Sequence, residues 1–387
     1  MTADDARRMG DALGRVVARG HDVTGFFEAT GSVLRRSIPF DGFCSMTVDP
    51  ATMLLTSHIV HDSVRPQDVP ALGRNEFLED DVNKFAVLAR APRPAGVLTQ
   101  ATAGQPESSP RFREILRPNG FADELRFTLL DGDECWGWVA LYRREGSGRF
   151  DDAEATLAAA ASQLLAEGLR RAILLEVAPG DEGPDAPGLI LLTAGGEIEA
   201  VTPPAERWLA ALITSEAAEG KLPPVVNNVA YRALLAARSD RATGAARAHV
   251  STSGGGWLAI HGSVLGDPAD GRIAIILEPA KAPEMAPLIV AAYGLSARER
   301  EVTELVLHGL STTEISQRLH VSAYTVQDHL KAIFDKVAVR SRRELVARIF
   351  SEHYMPRLQS GTRPVPAGWF AAPLGDRDHE APTNQSQ

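Results

Sequence analysis

The sequence is poor in cysteine and has no long apolar run. Its 387 residues include only two cysteines, Cys44 and Cys135, which excludes a disulfide framework and a zinc site built from four cysteines. No stretch of about 18 apolar residues occurs, so no membrane-spanning helix is expected. The segment Met1 to Gly10 mixes acids with arginines and lacks the apolar core of a secretory signal. These absences predict a cytoplasmic protein without a membrane partner.

Motifs of the common enzyme classes are also missing. The sequence contains no G-x-x-x-x-G-K-[ST], G-x-S-x-G or H-E-x-x-H motif. It also shows no alternating β/α pattern in which a strand ends in a phosphoacceptor aspartate, as in a receiver domain. His58 and His61 have metal-compatible spacing but no third ligand, and the glycine run at 254–256 precedes no helical pattern. Neither cysteine has a lysine or histidine near it, which favours buried packing over redox sensing. We therefore predict no enzyme activity, no catalytic residue, no metal and no cofactor.

Charge is distributed unevenly along the chain. The net charge is −10, from 40 Lys+Arg and 50 Asp+Glu, which for a whole protein disfavours general nucleic-acid coating. Residues 287–357, however, hold 10 Lys+Arg against 8 Asp+Glu, a net charge of +2, and the remaining chain holds 30 against 42, a net charge of −12. The acidity therefore belongs mainly to the residues before 287 and does not exclude a nucleic-acid site near the carboxyl terminus.

Proline- and glycine-rich stretches divide the chain. We predict linkers at 178–187 and 280–287, because these compositions cannot continue a helix. They separate segments 1–177, 188–279 and 288–357, and the polar, proline-rich tail 358–387 is predicted to be disordered. The fold class that follows is multidomain, with two α+β segments and an all-α carboxyl-terminal segment.

The first segment is predicted to be α+β with an antiparallel sheet. A helical pattern covers Phe27–Leu34, and Asp131-Gly132-Asp133 is typical of a hairpin turn between two strands. The predicted strands are Cys44–Val48, Leu54–Ile59, Arg126–Leu130 and Trp136–Tyr142. A long helix is expected over Asp151–Glu176. Its apolar residues with 4-3-4 spacing either pack on the sheet or form a narrow dimer seam; they are Leu157, Ala161, Leu164 and Gly168.

The middle segment is predicted to be a smaller α+β unit. Strands are expected at Gly188–Thr193, Ile198–Val201, Trp257–Val264 and Arg272–Leu277, and one helix is expected at Pro204–Ala211.

The third segment reads as helices only. Three S-x-x-E capping boxes, beginning at Ser296, Ser311 and Ser341, each precede an apolar helical pattern, and Ser322 supplies a further N-cap. The predicted helices span 297–308, 312–319, 323–337 and 342–351. Only three residues join the second helix to the third, which is the connection of a helix-turn-helix.

The third of these helices is amphipathic. One apolar stripe is formed by Val326, Leu330, Ile333 and Val337. The opposite face carries hydrogen-bonding side chains that suit base edges in a major groove, although a solvated helix face gives the same spacing. That face and its flanks comprise Tyr324, Thr325, Gln327, Asp328, His329, Lys331, Asp335 and Lys336.

Leu295 to Val346 resembles the LuxR/GerE-type helix-turn-helix domain, a four-helix DNA-binding module. The resemblance is carried by LSAREREV at 295–302, GLSTTEI at 309–315 and the positions that follow through Val339. It implies base-facing roles for Gln327, Asp328 and Lys331. It implies backbone-facing roles for Thr313, Thr325, His329 and Lys336, and a fourth helix that pairs two copies. The sequence departs from the family at two positions. Gln327 stands where lysine is common, and Thr312 stands where asparagine is common.

The first segment resembles a GAF sensory domain, and Gly188 to Leu209 resembles part of a PAS module. The GAF resemblance rests on IPFDG at 38–42, TVDPAT at 47–52, RFREILRPNGFADE at 111–124 and CWGWVALY at 135–142. It names no ligand, and the middle segment is equally compatible with an unrelated spacer.

Together these features predict a dimeric, one-component transcription regulator that binds double-stranded operator DNA and responds to an unknown small-molecule effector. RNA polymerase is a further expected partner. The alternatives are a GAF-like binder or enzyme whose carboxyl-terminal helices mediate protein contacts, and a promoter contact like that of a sigma factor.

Overall fold

The computed structural model describes residues 3–61, 63–176, 186–212, 222–239, 245–252, 257–267, 271–280 and 291–351. Within them the chain forms two antiparallel sheets followed by a group of helices. We call these parts the amino-terminal unit (3–176), the middle unit (186–280) and the carboxyl-terminal unit (291–351). The predicted linkers, apart from residues 186, 187 and 280, and the whole predicted tail lie outside the described residues.

The sheet of the amino-terminal unit has five strands in the order β2-β1-β5-β4-β3. The strands are β1 (Gly42–Asp49), β2 (Leu54–His61), β3 (Ala95–Val97), β4 (Phe121–Asp131) and β5 (Glu134–Arg144). Strands β4 and β5 pair down to Asp131 and Glu134, and Gly132 between them has a φ of +59°, the left-handed conformation that a tight hairpin requires. The hairpin prediction is confirmed.

Helices cover both faces of this sheet. They are α1 (Ala3–Ala18), α2 (Val23–Ser37), α3 (Val69–Leu78), α4 (Phe85–Leu88), α5 (Leu98–Ala101) and α6 (Asp152–Glu176). Helices α1, α2 and α6 pack on one face against a cluster that includes Phe127, Trp136 and Leu141. Cys44, Trp138 and other side chains of the opposite face join residues of α3, α4 and α5 in a second cluster.

The apolar stripe of α6 is used within the chain. Leu157 and Ala161 are 3% and 2% exposed in the first apolar cluster. A Cβ atom at Gly168 would lie 2.5 Å from the ring of Phe26 and 2.7 Å from Val17, so glycine permits α6 to approach α1 and α2 closely. Packing on the sheet and helices is therefore the correct alternative, and the dimer seam is not.

The middle unit has a second five-stranded sheet in the order β7-β6-β10-β9-β8. Its elements are β6 (Gly188–Leu192), β7 (Ile198–Val201), α7 (Pro203–Leu212), α8 (Pro224–Arg238), β8 (Arg247–Ser251), β9 (Trp257–Leu265) and β10 (Arg272–Pro279). The elements predicted from the sequence are confirmed. Helix α8 and strand β8 were not predicted.

Helix α8 joins the two sheets. It packs on the sheet of its own unit and, on its other side, against α3 and β2 of the amino-terminal unit. Gly73 of α3 makes this approach close, because a Cβ atom there would collide with Asn228 of α8. Nearby, His249 Nδ1 of β8 lies 3.3 Å from Asp49 Oδ2 of β1, and both side chains are buried. The two units therefore share one apolar core, of which α8 is the centre.

The carboxyl-terminal unit contains α9 (Ala297–Leu307), α10 (Thr312–Leu319), α11 (Ala323–Val337) and α12 (Arg342–Ser351). Ser296 and Ser311 form complete capping boxes with Glu299 and Glu314. At α12 only half of the predicted box forms. The Glu344 amide donates to Ser341 Oγ over 3.1 Å, but the Glu344 carboxylate accepts from the amide of Arg340. No helix in the described part of the chain has the length and apolarity needed to cross a membrane.

Candidate nucleic-acid interface

A sharp turn places α11 across α10. Helix α10 ends at His320, whose φ of +52° and ψ of +44° reverse the chain, and the amide of Val321 then donates to the carbonyl of Ser316 over 3.0 Å. Helix α11 begins at once, because Ser322 Oγ accepts from the amide of Thr325 over 3.0 Å. The connection is that of a helix-turn-helix, as the capping residues predict.

The apolar stripe of α11 fixes the rotation of the helix. Val326, Leu330, Ile333 and Val337 are between 0% and 8% exposed. They pack with buried side chains from all three neighbouring helices, namely Val302, Val306, Ile315, Leu345 and Ile349. The predicted core face is confirmed, and the opposite face must therefore point to solvent.

That outer face presents free hydrogen-bonding groups. Gln327, Asp328 and Lys331 are exposed, and Tyr324 beside them is 72% exposed. Within the described residues the side chains of Gln327, Asp328 and Lys331 make no hydrogen bond or ion pair. These groups thus lie on one exposed surface, where they can contact a ligand as large as a nucleic acid.

The flanking predicted residues differ in how far they are engaged. Thr325 is half-buried, and its hydroxyl lies 2.8 Å from Ser322 Oγ, so it already serves the helix cap. His329 is half-buried beside the outer face, and Thr313 is exposed near the start of α10. The structure brings Thr325 and His329 onto the α11 surface and places Thr313 on the supporting helix.

Lys336 has a structural partner. Its Nζ donates to Glu299 Oε2 over 2.6 Å, which ties α11 to the start of α9. Burial of the Glu299 carboxyl opposes ionisation, but the hydrogen bonds from Lys336 and Ser296 outweigh it and hold the Glu299 pKa below its ordinary value. Sequence reasoning missed this pair, because its members lie 37 residues apart.

The Glu299–Lys336 pair predicts an acid-sensitive carboxyl-terminal unit. Because the folded pKa of Glu299 is depressed, its stabilisation is present above the ordinary pKa of 4.5 and is lost as the pH falls through the folded value. We expect the free energy of unfolding to fall between about pH 6 and about pH 3, and to fall less in Glu299→Gln. Urea unfolding followed by α11 resonances in NMR measures this difference. Equal pH dependence in both proteins would contradict it.

Helix α9 also contacts the amino-terminal unit. Arg300 forms an ion pair with Glu134 at the start of β5. Arg170 of α6 lies 2.8 Å from Asp131 of the same hairpin and donates to the carbonyl of Ala292 over 3.4 Å. Arg298 pairs within α9 with Glu301, at 2.5 Å, whereas Arg300 pairs across the units with Glu134.

The described residues hold no group of three or more His, Cys, Asp or Glu that could bind a metal. Both cysteines are buried, and burial raises the pKa of Cys135 to about 12, so its thiol is unreactive at neutral pH. The side chains of His58 and His61 and the 254–256 glycines lie outside the described parts.

These features define a helix-turn-helix module with a buried stripe and an open polar face on its second helix. The family model of "Bacterial regulatory proteins, luxR family" matches residues 294–349. The chain is 36% identical over 55 residues to the spore germination protein GerE of Bacillus subtilis, covering 14% of this chain and 74% of GerE. The chain belongs to the luxR family of bacterial regulatory proteins.

Sequence similarity to longer relatives likewise extends over a small share of this chain. The transcriptional regulatory protein DesR of Bacillus subtilis is 41% identical over 68 residues, which are 17% of this chain and 34% of DesR. The chain thus spans about a third of that relative. Among solved structures, Escherichia coli SdiA aligns with a TM-score of 0.33 and 11% identity, over 89% of this chain and 94% of SdiA.

Proposed function

We propose that the protein is a one-component, sequence-specific DNA-binding transcription regulator. The observation that carries this proposal is the exposed outer face of α11. The buried apolar stripe fixes the rotation of α11 within a luxR-family helix-turn-helix, so that this face points to solvent. A helix anchored in this way presents side chains to the major groove of double-stranded operator DNA.

Three exposed side chains of α11 suit partners on the bases of DNA. In the proposed complex Lys331 donates to guanine, Gln327 pairs with adenine and Asp328 accepts from cytosine. Thr313, Thr325, His329 and Lys336 contact the backbone, where they set the register of the helix on the duplex. For Lys336, a phosphate contact competes with its pairing to Glu299.

We further propose that two copies bind together. The net charge of +2 over 287–357 supplies little general attraction to phosphate, so one carboxyl-terminal unit alone gives modest affinity. A homodimer on two half-sites, paired through α12, compensates for this low affinity.

Segments 1–177 and 188–279 serve in this proposal as a GAF-like sensory domain and a PAS-like domain for a small-molecule effector. RNA polymerase is a proposed partner at the promoter, and the cytoplasm the proposed location.

A salt titration tests the phosphate contacts. We expect the logarithm of the DNA association constant to fall linearly with the logarithm of salt concentration, with a slope of about −0.9 per neutralised phosphate. Fluorescence anisotropy with labelled duplex measures the slope for the full chain. A slope near zero would overturn the proposed binding mode and favour a protein-contact role for these helices.

A further inference from the structure

Tyr324 is a large aromatic side chain that the fold leaves in solvent. It is 72% exposed, more than any other large hydrophobic side chain in the described residues. Within those residues its ring stacks on no other ring and its hydroxyl makes no hydrogen bond. Helix formation does not require it either, since alanine has the higher intrinsic helix propensity. The folded chain makes no use of this ring, so its role depends on what its position offers to a ligand.

The position of Tyr324 on α11 places it among the residues that face bases in the proposed complex. It precedes Gln327, Asp328 and Lys331 by three, four and seven residues, which is the spacing of one helical face. At 100° per residue, Tyr324 lies about 30° from the direction opposite the buried stripe, whereas the flanking Thr325 lies about 70° from it. Tyr324 is also the second residue of α11, and the first residues of a recognition helix contact base edges.

The charges on this face favour an uncharged partner for the ring. Asp328 follows Tyr324 by one helical turn, is exposed, and makes no hydrogen bond or ion pair in the described part of the chain. Asp335 continues the same face, so two carboxylates share it with Lys331. A backbone phosphate that accepted from the Tyr324 hydroxyl would lie near the Asp328 carboxylate, and like charges repel. An apolar group in the groove meets no such repulsion.

We propose that Tyr324 is a specificity-determining residue whose ring contacts the 5-methyl group of a thymine in the major groove. Among the four unmodified bases, only thymine presents a methyl group there. The other bases would place an unpaired donor or acceptor against the ring, which costs free energy. The contact therefore selects thymine beside the bases that Gln327, Asp328 and Lys331 contact. This inference rests on the proposed function and adds to it one residue and the base that it reads.

Deoxyuridine scanning of the operator selected by the full chain tests the contact. Deoxyuridine differs from thymidine only in lacking the 5-methyl group, so each thymine is replaced in turn and the affinity is measured by fluorescence anisotropy. We expect one position in each half-site at which loss of the methyl group weakens binding about fourfold, as the burial of one methyl group implies. In Tyr324→Ala the same replacement should change the affinity by less than about 1.5-fold, because the cycle isolates the pairwise contact.

Three variants separate the ring from the hydroxyl and from general effects. Tyr324→Ala should weaken binding to the unmodified operator about tenfold, whereas Tyr324→Phe, which keeps the ring, should remain within about twofold of wild type. Leu265→Ala removes another exposed apolar side chain, at the end of β9, and should leave the DNA affinity unchanged. Circular dichroism should show full helix content in Tyr324→Ala, since alanine favours the helix.

Three results would overturn the inference and leave the proposed function in place. They are wild-type affinity in Tyr324→Ala, a loss in Tyr324→Phe as large as that in Tyr324→Ala, and deoxyuridine effects that are the same in wild type and Tyr324→Ala at every position. The second result would assign the contact to the hydroxyl. Failure of the folded wild-type chain to select any operator would instead overturn the proposed function, and this inference with it.

Discussion

Lys331→Ala is expected to abolish most specific operator binding while the protein remains folded. Lys331 is exposed on α11 and has no partner within the described residues, so its removal leaves the helix core intact. Loss of one good base contact costs about 1–3 kcal/mol, which weakens binding roughly 5- to 150-fold. Fluorescence anisotropy against the preferred site and a scrambled duplex measures the change, and the larger loss should occur on the preferred site.

A charge-matched control separates base contact from general electrostatics. Lys84→Ala removes the same charge from the amino-terminal unit, next to α4, and should change DNA affinity by less than about twofold. Circular dichroism should give the same helix content for both variants. Wild-type affinity in Lys331→Ala would refute the assignment of α11 as the recognition helix.

Glu124→Ala is expected to destabilise the amino-terminal unit strongly. The Glu124 carboxylate accepts from Arg111 and Arg126, each over 2.9 Å, and all three side chains are at most 4% exposed. Without it, two buried guanidinium groups lose their shared partner, and breaking a buried pair typically costs about 3–5 kcal/mol. Urea unfolding of the full chain measures the loss.

The control is an ion pair at the surface of the same unit. Arg117 and Glu107 lie 2.9 Å apart with side chains 57% and 54% exposed, so Glu107→Ala should cost at most about 1 kcal/mol. Glu124→Gln, which keeps the shape and one acceptor, should fall between the two. A loss in Glu124→Ala no larger than that in Glu107→Ala would show that the buried network contributes little to stability.

The elements predicted correctly are those specified by local signals. The rotation of α11 follows from four apolar residues at helical spacing and from the cap at Ser322, all within one short segment. The hairpin at Gly132 follows from its turn residues. Such features depend on neighbours along the chain, so the sequence suffices to place them.

The features that escaped prediction depend on distant residues. Arg126 is buried on β4 because Glu76 lies opposite it, 50 positions earlier in the chain. The contact between the amino-terminal and middle units needs α8, and the role of Arg300 needs Glu134, 166 positions away. The stripe of α6 shows the same limit, since its spacing suits a dimer seam and an internal core equally well until α1 and α2 are in place.

The most direct test of the central claim is selection of binding sites from a random duplex library with the purified full chain. The proposal predicts enrichment of one motif with two-fold symmetry, whose half-sites are centred about one helical turn or a multiple apart. It also predicts that Lys331→Ala relaxes the base preference at one position of each half-site. Recovery of unenriched random sequence by the folded protein would contradict sequence-specific recognition by α11.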